Sequence, residues 1–279
     1  MNAIKSIKGM NDLLVDDSLV MGEIIKACSK VFQSHHYQRI HTPIVEKTDL
    51  FARSIGADTD IVSKEMYTFN DRNGDSLTLR PEGTASCVRA GIQHGLFYNQ
   101  QQRFWYAGPM FRHERPQKGR YRQFHQIGAE SYGWASPDID AEIISMTQLL
   151  WKQLKLDNIE LQLNSLGSAE SRKSYRQALV AYLSDFQAEL DADRQRRLET
   201  NPLRILDSKV ESTQAVLENA PLLTEYLDDE SLADFEQLQA YLESLGIQFT
   251  LNPKLVRGLD YYNKTVFEWV YPSLSLIHI

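Results

Sequence analysis

Apolar residues recur at helical spacing near the start of the chain. Leu19, Ile24, Ile25, Cys28, Val31 and Phe32 fall near one face of a 3.6-residue period, which predicts an amphipathic helix over about 18–37, ending near His35 and His36. Residues 38–46 read as a strand up to Pro43, where a proline is tolerated only at an edge, bulge or terminus. Between residues 66 and 80, two strand-like runs flank Asn73-Gly74, a pair that supplies the positive-φ positions of a tight turn and so predicts a β-hairpin. Pro81, Glu82, Gly83 and Thr84 then lead into a helix reaching about Gln93. Residues 103–114 and 122–130, rich in Phe, Trp and Tyr, predict two adjacent antiparallel strands joined by a cationic loop. A further helix over 140–154 places Ile143, Ile144, Thr147, Leu150, Trp151 and Leu154 on one face.

Alternation at Ile159, Leu161 and Leu163 predicts a half-buried strand, and the same alternation returns at Ile247, Phe249 and Leu251. Between these runs the pattern is helical, most cleanly over 178–190 and over 231–245, where Leu232, Phe235, Leu238, Leu242 and Leu245 share a face. The expected fold class is therefore α+β: a mostly antiparallel sheet flanked by helices and interrupted by a helical insertion over about 169–244. Neither a G-x-G-x-x-G turn nor a P-loop is present, so a doubly wound parallel sheet fits poorly.

Charge changes the picture where it is segregated. The 279 residues carry a net charge of −7. The stretch 221–243 holds seven acids (Glu225, Asp228, Asp229, Glu230, Asp234, Glu236, Glu243) and no Lys or Arg, and so accounts for the whole excess. It reads as a solvated helix face. Residues 112–122 hold five cations (Arg112, Arg115, Lys118, Arg120, Arg122) against Glu114 alone, which makes this the place to seek an anionic ligand. Apolar residues at 42% and aromatics at 10% exclude the disordered and collagen-like classes. Two cysteines, Cys28 and Cys87, are too few for a disulfide framework, which fits a reducing, cytoplasmic setting. No run of 18 apolar residues or secretory leader pattern occurs, so no membrane role is expected.

A strand period of two gives the two aromatic-rich strands a specific chemistry. Arg112 and Glu114 are expected on one face of the first strand, and Phe124, Gln126, Gly128 and Glu130 on one face of the second. Facing one cleft, they would hold a nucleotide phosphate beside a zwitterionic small molecule, the guanidinium taking oxyanions and the carboxylates an ammonium or imidazole. The alternative is an exposed hairpin face of paired charges. Glu82 and Thr84, around Gly83 at a helix entry, are either ligand contacts or an N-terminal cap. Arg257 beside Gly258 sits on a loop where backbone can approach a ligand, followed by Tyr261 and Tyr262, and paired tyrosines are more often core than ligand contacts. The seven histidines and two cysteines make no zinc pattern, no metal site is expected, and no G-x-S-x-G elbow marks a nucleophile.

Taken together, these stretches resemble the histidyl-tRNA synthetases, a family of class II aminoacyl-tRNA synthetases. The resemblance is carried in order by Gly9-Met10-Asn11-Asp12, Thr42-Pro43 with residues 46–56, residues 79–84, 111–130, 164–167, 201–209 and 255–262. Phe111-Arg112-His113-Glu114 with its loop and the Phe124 strand is similar to class II motif 2; the Arg257 stretch is characteristic of the histidine enzymes. The resemblance implies activation of histidine by ATP to histidyl-adenylate and transfer to the 3′ end of tRNA(His), with Mg2+ accompanying the pyrophosphate. It also implies roles: Glu82, Thr84 and Gln126 for the α-ammonium of histidine; Glu130 and Tyr262, helped by Tyr261, for the imidazole. Arg112 would bind the α-phosphate of ATP, Glu114 and Arg120 the rest of the nucleotide. Arg257 would sit between the histidine carboxylate and that phosphate. Pro43 would lie in motif 1 at a homodimer interface, and the insertion would lean toward the tRNA acceptor arm.

On this resemblance, residues 1–168 form a catalytic core, 169–244 the insertion, 245–270 the continuation of the core, and 271–279 an atypical tail. A glycine-rich segment, motif 3 and an anticodon-binding domain would follow Val270 in the family; Tyr-Pro-Ser-Leu-Ser-Leu-Ile-His-Ile stands there instead, so a C-terminally truncated or frame-shifted reading of a longer gene is expected. The rival within the same fold is a non-catalytic, histidine-sensing regulatory subunit of ATP phosphoribosyltransferase. Retention of Glu82, Arg112, Gln126, Glu130, Arg257 and both tyrosines favours the ligase. A plain tRNA-binding module is a third reading.

Overall fold

The computed structural model describes residues 3–56, 59–117, 119–208, 210–257 and 261–271. Contacts divide the chain into two compact units, Met1–Ala135 with Glu142–Asp157, and Ser136–Ala141 with Asn158–Ile279.

The first unit contains α1 (Val15–Ser34), β1 (Gln38–Arg39), β2 (Val45–Lys47), α2 (Thr48–Ile55), a π-turn at Ile61–Glu65, β3 (Tyr67–Asn70), β4 (Ser76–Leu79), α3 (Thr84–Gln93), β5 (Gln102–Phe111), β6 (Gln123–Tyr132) and, from Glu142 onward, α4 (Pro137–Gln153). Its strands form two sheets, β1-β5-β6 and β2-β4-β3. The long β5–β6 hairpin is antiparallel from Gln102 opposite Tyr132 to Phe111 opposite Gln123. Period two sorts its faces. Trp105, Ala107, Ile127 and Ala129 pack with Cys28, Val31 and Phe32 of α1 and Met146 and Leu150 of α4. Phe104, Tyr106, Met110 and Phe124 point the other way, against Cys87 of α3. One face of the hairpin is thus covered by two helices, and the other carries the polar cluster described below.

Three expectations for this unit are corrected. Of the six residues placed on the inner face of α1, Leu19 is 66% exposed while Cys28, Val31 and Phe32 are buried. The strand expected over 38–46 is only β1 and β2, because the carbonyls of Thr42 and Pro43 accept from the buried Arg80 guanidinium at 2.9 and 3.5 Å instead of continuing a ladder. The β3–β4 turn uses a positive φ only at Gly74 (88°), and the Asp71 side chain caps the Asn73 and Asp75 N–H groups.

The second unit contains β7 (Glu160–Ser165), α5 (Ala169–Ser184), α6 (Ala192–Thr200), α7 (Glu211–Leu217), α8 (Asp229–Ser244), β8 (Phe249–Leu251) and β9 (Thr265–Val270). β7 is central, with β8 parallel and β9 antiparallel to it. Ser168, Asp191 and Asp228 cap α5, α6 and α8 through the N–H groups of Ser171, Arg194 and Ser231. Those caps explain why α5 starts well before residue 178. Tyr175, Leu179 and Leu183 of α5 enter one core with Leu198, Ile205, Leu206, Leu217 and Leu223. On α8, Phe235, Leu238 and Leu242 are buried as the period predicts, whereas Leu232 and Leu245 are exposed. The fold is α+β and mostly antiparallel, as expected, but its described strands form three three-stranded sheets rather than one. No described helix is long and apolar enough to cross a membrane.

Candidate active site

Two glycines leave room for a buried phenol at the centre of the hairpin. Tyr106 on β5 lies opposite Gly128 on β6. A Cβ at Gly128 would stand 2.3 Å from the Tyr106 ring, and one at Gly83 would stand 2.2 Å from it. The Tyr106 hydroxyl donates to Glu130 Oε1 at 3.0 Å, and Thr84 Oγ1 donates to the same oxygen at 2.7 Å. Glu82, 2% exposed, caps α3 with both oxygens: Oε2 accepts from the Thr84 N–H at 2.6 Å and Oε1 from the Ala85 N–H at 2.8 Å. Gln126 Oε1 accepts from the Gly83 N–H at 2.9 Å. Glu82, Thr84, Gln126 and Glu130 are therefore joined in one network, and for Glu82 the cap and the site are the same arrangement.

Enclosure makes these carboxyls hard to ionise. Burial raises Glu82 above the usual carboxylate range, against the pull of the two amide bonds and the Arg112 charge. Burial also pushes Glu130 up from 4.5 to about 7, opposed by the Thr84 and Tyr106 hydroxyls and reinforced by the Glu82 charge. Tyr106 is raised by burial and by Glu130, so it remains a neutral donor. An ionised carboxylate has about four lone-pair sites, so each retains acceptor capacity for an ammonium or a ring N–H.

Arg112 and Glu114 do not share a strand face, because β5 stops at Phe111. The His113 N–H donates to the Glu65 carbonyl at 2.7 Å instead of extending the ladder, and Pro116 has no N–H to offer. Arg112 nonetheless reaches the network. Its Nε donates to the Pro81 carbonyl at 2.9 Å and its guanidinium carbon lies 5.3 Å from the Phe124 ring centroid, which keeps Nη1 and Nη2 for other acceptors. Glu114 pairs with Arg120 at 3.4 Å across a tight turn that Gly119 (φ 82°) allows and Gln117 and Arg120 close. Lys118 lies outside the described residues. The Gly9 carbonyl accepts from the N–H groups of Arg122 and Gln123 at 2.7 and 3.1 Å, anchoring the far end of this loop.

The second unit brings Arg257, Tyr261 and Tyr262 into one group. The tyrosine rings stack at 4.9 Å with 27° between planes, and the Arg257 guanidinium carbon is 5.5 Å from the Tyr262 ring. Tyr261 is 37% exposed, whereas Tyr262 packs on the unit's core. Gly258 and residues 272–279, both singled out from sequence, lie outside the described residues.

Tyr106 and Arg80 shape the first group, and sequence reasoning missed both. A glycine inside an aromatic strand, Gly128, was the available signal for Tyr106. Arg80, 7% exposed, donates Nε to the Pro109 carbonyl at 2.9 Å besides its bonds to the 42–43 segment. Cys28 and Cys87 are both buried, and burial pushes each thiol up to about 11, which leaves them inert. Among the described residues no group of three or more His, Cys, Asp or Glu is placed to hold a metal ion. Within the first unit the groups available are two carboxyls, Glu82 and Glu130, that can accept from a cation or an N–H, and the Arg112 guanidinium, which can take an oxyanion.

The model of the family described as histidyl-tRNA synthetase matches residues 9–276, extending past Val270. A curated histidine–tRNA ligase of Marinomonas sp. (strain MWYL1) is 62% identical over 273 residues, which is 98% of this chain and 64% of that protein. Among solved structures, apo histidyl-tRNA synthetase of S. aureus superposes with a TM-score of 0.75 at 40% identity, covering 96% of this chain and 61% of that one. A Bacillus halodurans protein described as an ATP phosphoribosyltransferase regulatory subunit/histidyl-tRNA synthetase gives 0.69 at 21% identity, covering 98% and 74%, a likeness of fold alone. The chain spans just under two thirds of the length of the first two relatives.

Proposed function

Because the chain belongs to the histidyl-tRNA synthetase family, we propose that it carries the histidine-activating part of a histidine–tRNA ligase, with ATP, L-histidine and tRNA(His) as substrates. The observation that carries this reading is the network of Glu82, Thr84, Gln126 and Glu130 around Tyr106, a set of buried and half-buried polar groups suited to one ammonium and one imidazole. Glu82, Thr84 and Gln126 hold the α-ammonium; Glu130 and Tyr262, with Tyr261, read the ring. Arg112 takes the α-phosphate of ATP, Glu114 and Arg120 place the remainder of the nucleotide, and Arg257 neutralises charge between histidine carboxylate and phosphate. Residues 1–168 and 245–270 serve as catalytic core, 169–244 as an insertion toward the acceptor arm, and Pro43 lies at a homodimer interface. The setting is cytoplasmic.

The mechanism follows from charge. A histidine carboxylate is already ionised at pH 7, so its attack on the α-phosphorus needs alignment and neutralisation rather than a general base. Arg112 and Arg257 supply both. Mg2+ would arrive with ATP as part of the substrate and neutralise the leaving pyrophosphate. Polar reading of the ring rejects analogues without its nitrogens by about 10⁴ or more.

Histidine-dependent exchange of pyrophosphate into ATP tests the reading. A regulatory subunit binds histidine without exchange, and a tRNA-binding module does neither. Within the enzyme, Arg257→Ala is expected to slow adenylate formation by about 10² to 10³, the usual loss of one electrostatic donor. Exchange at the parent rate would remove Arg257 from the mechanism.

A further inference from the structure

The acidic stretch 221–243 is not merely a solvated face. Asp228 caps α8 and accepts from Ser171 Oγ at 2.8 Å. One turn apart on α8, Glu230 and Asp234 both reach a single cation, Lys264, whose Nζ lies 2.7 Å from Glu230 Oε1 and 2.6 Å from Asp234 Oδ2. Lys264 follows Tyr262 by two residues and adopts φ 47°, a conformation that a residue with a side chain holds only when its surroundings impose it. Backbone bonds do so: the Leu166 N–H donates to the Lys264 carbonyl at 2.7 Å, and the Lys264 N–H to the Gly167 carbonyl at 2.9 Å.

We propose that Lys264 is a positioning residue: its ion pairs with Glu230 and Asp234 latch the histidine-reading loop to α8, so that Tyr261 and Tyr262 are held ready for the imidazole. α8 is a firm anchor because Phe235, Leu238 and Leu242 root it in the unit's interior. Charge balance makes the lysine the critical member. Glu230 and Asp234, one turn apart, share the single ammonium of Lys264. Removing the ammonium leaves mutual repulsion at the root of the loop, whereas removing one carboxylate leaves the lysine with a partner. The assignment rests on the proposed reading of the tyrosines.

Calorimetric titration of the full chain with L-histidine, and separately with ATP, tests it. Lys264→Met is expected to weaken histidine about tenfold, within the range by which residues remote from a ligand modulate its binding, and to leave ATP within about twofold. Lys264→Arg keeps charge and reach and restores histidine to within about threefold of the parent. Glu230→Gln or Asp234→Asn alone, each leaving Lys264 one carboxylate, weakens histidine less than Lys264→Met does, and the two together weaken it as much; a double variant that binds histidine like the parent overturns the latch. Tyr262→Ala separates this proposal from the reading beneath it. If Tyr262→Ala leaves histidine binding unchanged, or the parent chain binds none, the assignment of the loop to histidine fails. If Tyr262→Ala weakens binding and Lys264→Met does not, the latch alone is overturned. Equal loss of ATP and histidine binding in Lys264→Met, or no recovery with arginine, overturns it as well.

Discussion

The two groups of residues assigned to histidine are held by opposite physical means. Around Glu130, position comes from burial: a phenol fills the space left by two glycines, two hydroxyls meet one carboxylate oxygen, and Glu82 satisfies the first amides of α3. Around Tyr262, position comes from charge at the surface: Lys264 is 31% exposed and its partner Glu230 is 78% exposed. Buried networks are rigid and intolerant of volume or ionisation changes. Partly exposed ion pairs are adjustable and screened by salt. The ammonium-and-ring cluster should therefore behave as a preformed mould and the tyrosine loop as a part that can be tuned.

The sharpest break of that contrast is a single methyl group in the mould. At Gly128 it would collide with the Tyr106 ring, and Gly83 on the other side denies the ring an escape. Gly128→Ala is expected to destabilise by about 1–3 kcal/mol, the usual range for overpacking, and to abolish histidine binding by displacing Glu130's donor. Gly22→Ala, on α1 with nothing within 4 Å of the added atom, should instead stabilise by about 0.5–1 kcal/mol. Urea unfolding of both variants decides it; a Gly128→Ala chain as stable as the parent would show that the mould gives.

Ionisation sharpens the same contrast. The folded chain holds Glu130's proton up to about 7, whereas an unfolded carboxyl releases it near 4.5. Between those values the native state binds more protons than the unfolded one, so stability falls as pH rises through this window and levels off above it. Glu130→Gln stays neutral at every pH and should remove that fall. The comparison is the urea midpoint at pH 5 and pH 8. An unchanged slope in Glu130→Gln would mean that another buried acid, Glu82 foremost, sets the dependence.

The mould was more legible in the sequence than the latch. Period-two alternation put Gln126, Gly128 and Glu130 on one face, and the register realises it because one side of the hairpin must meet α1 and α4. β9 escaped notice because Val266, Glu268 and Trp269 are all buried, so no alternation marks it. Residues 38–46 misled because a buried guanidinium, which no periodicity reveals, takes their carbonyls. Counting charges located the acidic stretch but not its partner. That partner is a lone lysine beyond the tyrosines, and only the fold sets it against α8. The family resemblance pointed to Glu82, Thr84, Gln126 and Glu130, which the fold joins in one network, while Tyr106, hidden in an aromatic run, emerges only from the fold.

Salt gives the mildest test and separates the two means of support within one molecule. At about 0.5 M the screening length falls to roughly 4 Å, enough to weaken a partly exposed ion-pair latch while leaving the short, half-buried hydrogen bonds around Glu130 almost untouched. Histidine affinity of the parent chain should fall about two- to threefold between roughly 0.05 and 0.5 M salt, in keeping with surface ion pairs worth under about 1 kcal/mol each. The Lys264→Met chain has no latch to screen, so its weaker affinity should stay level over the same range. The two curves should therefore converge as salt rises. Parallel curves would place the salt sensitivity elsewhere, in the Arg112 or Arg257 contacts with ligand, and would leave the tyrosine loop as firmly moulded as the hairpin.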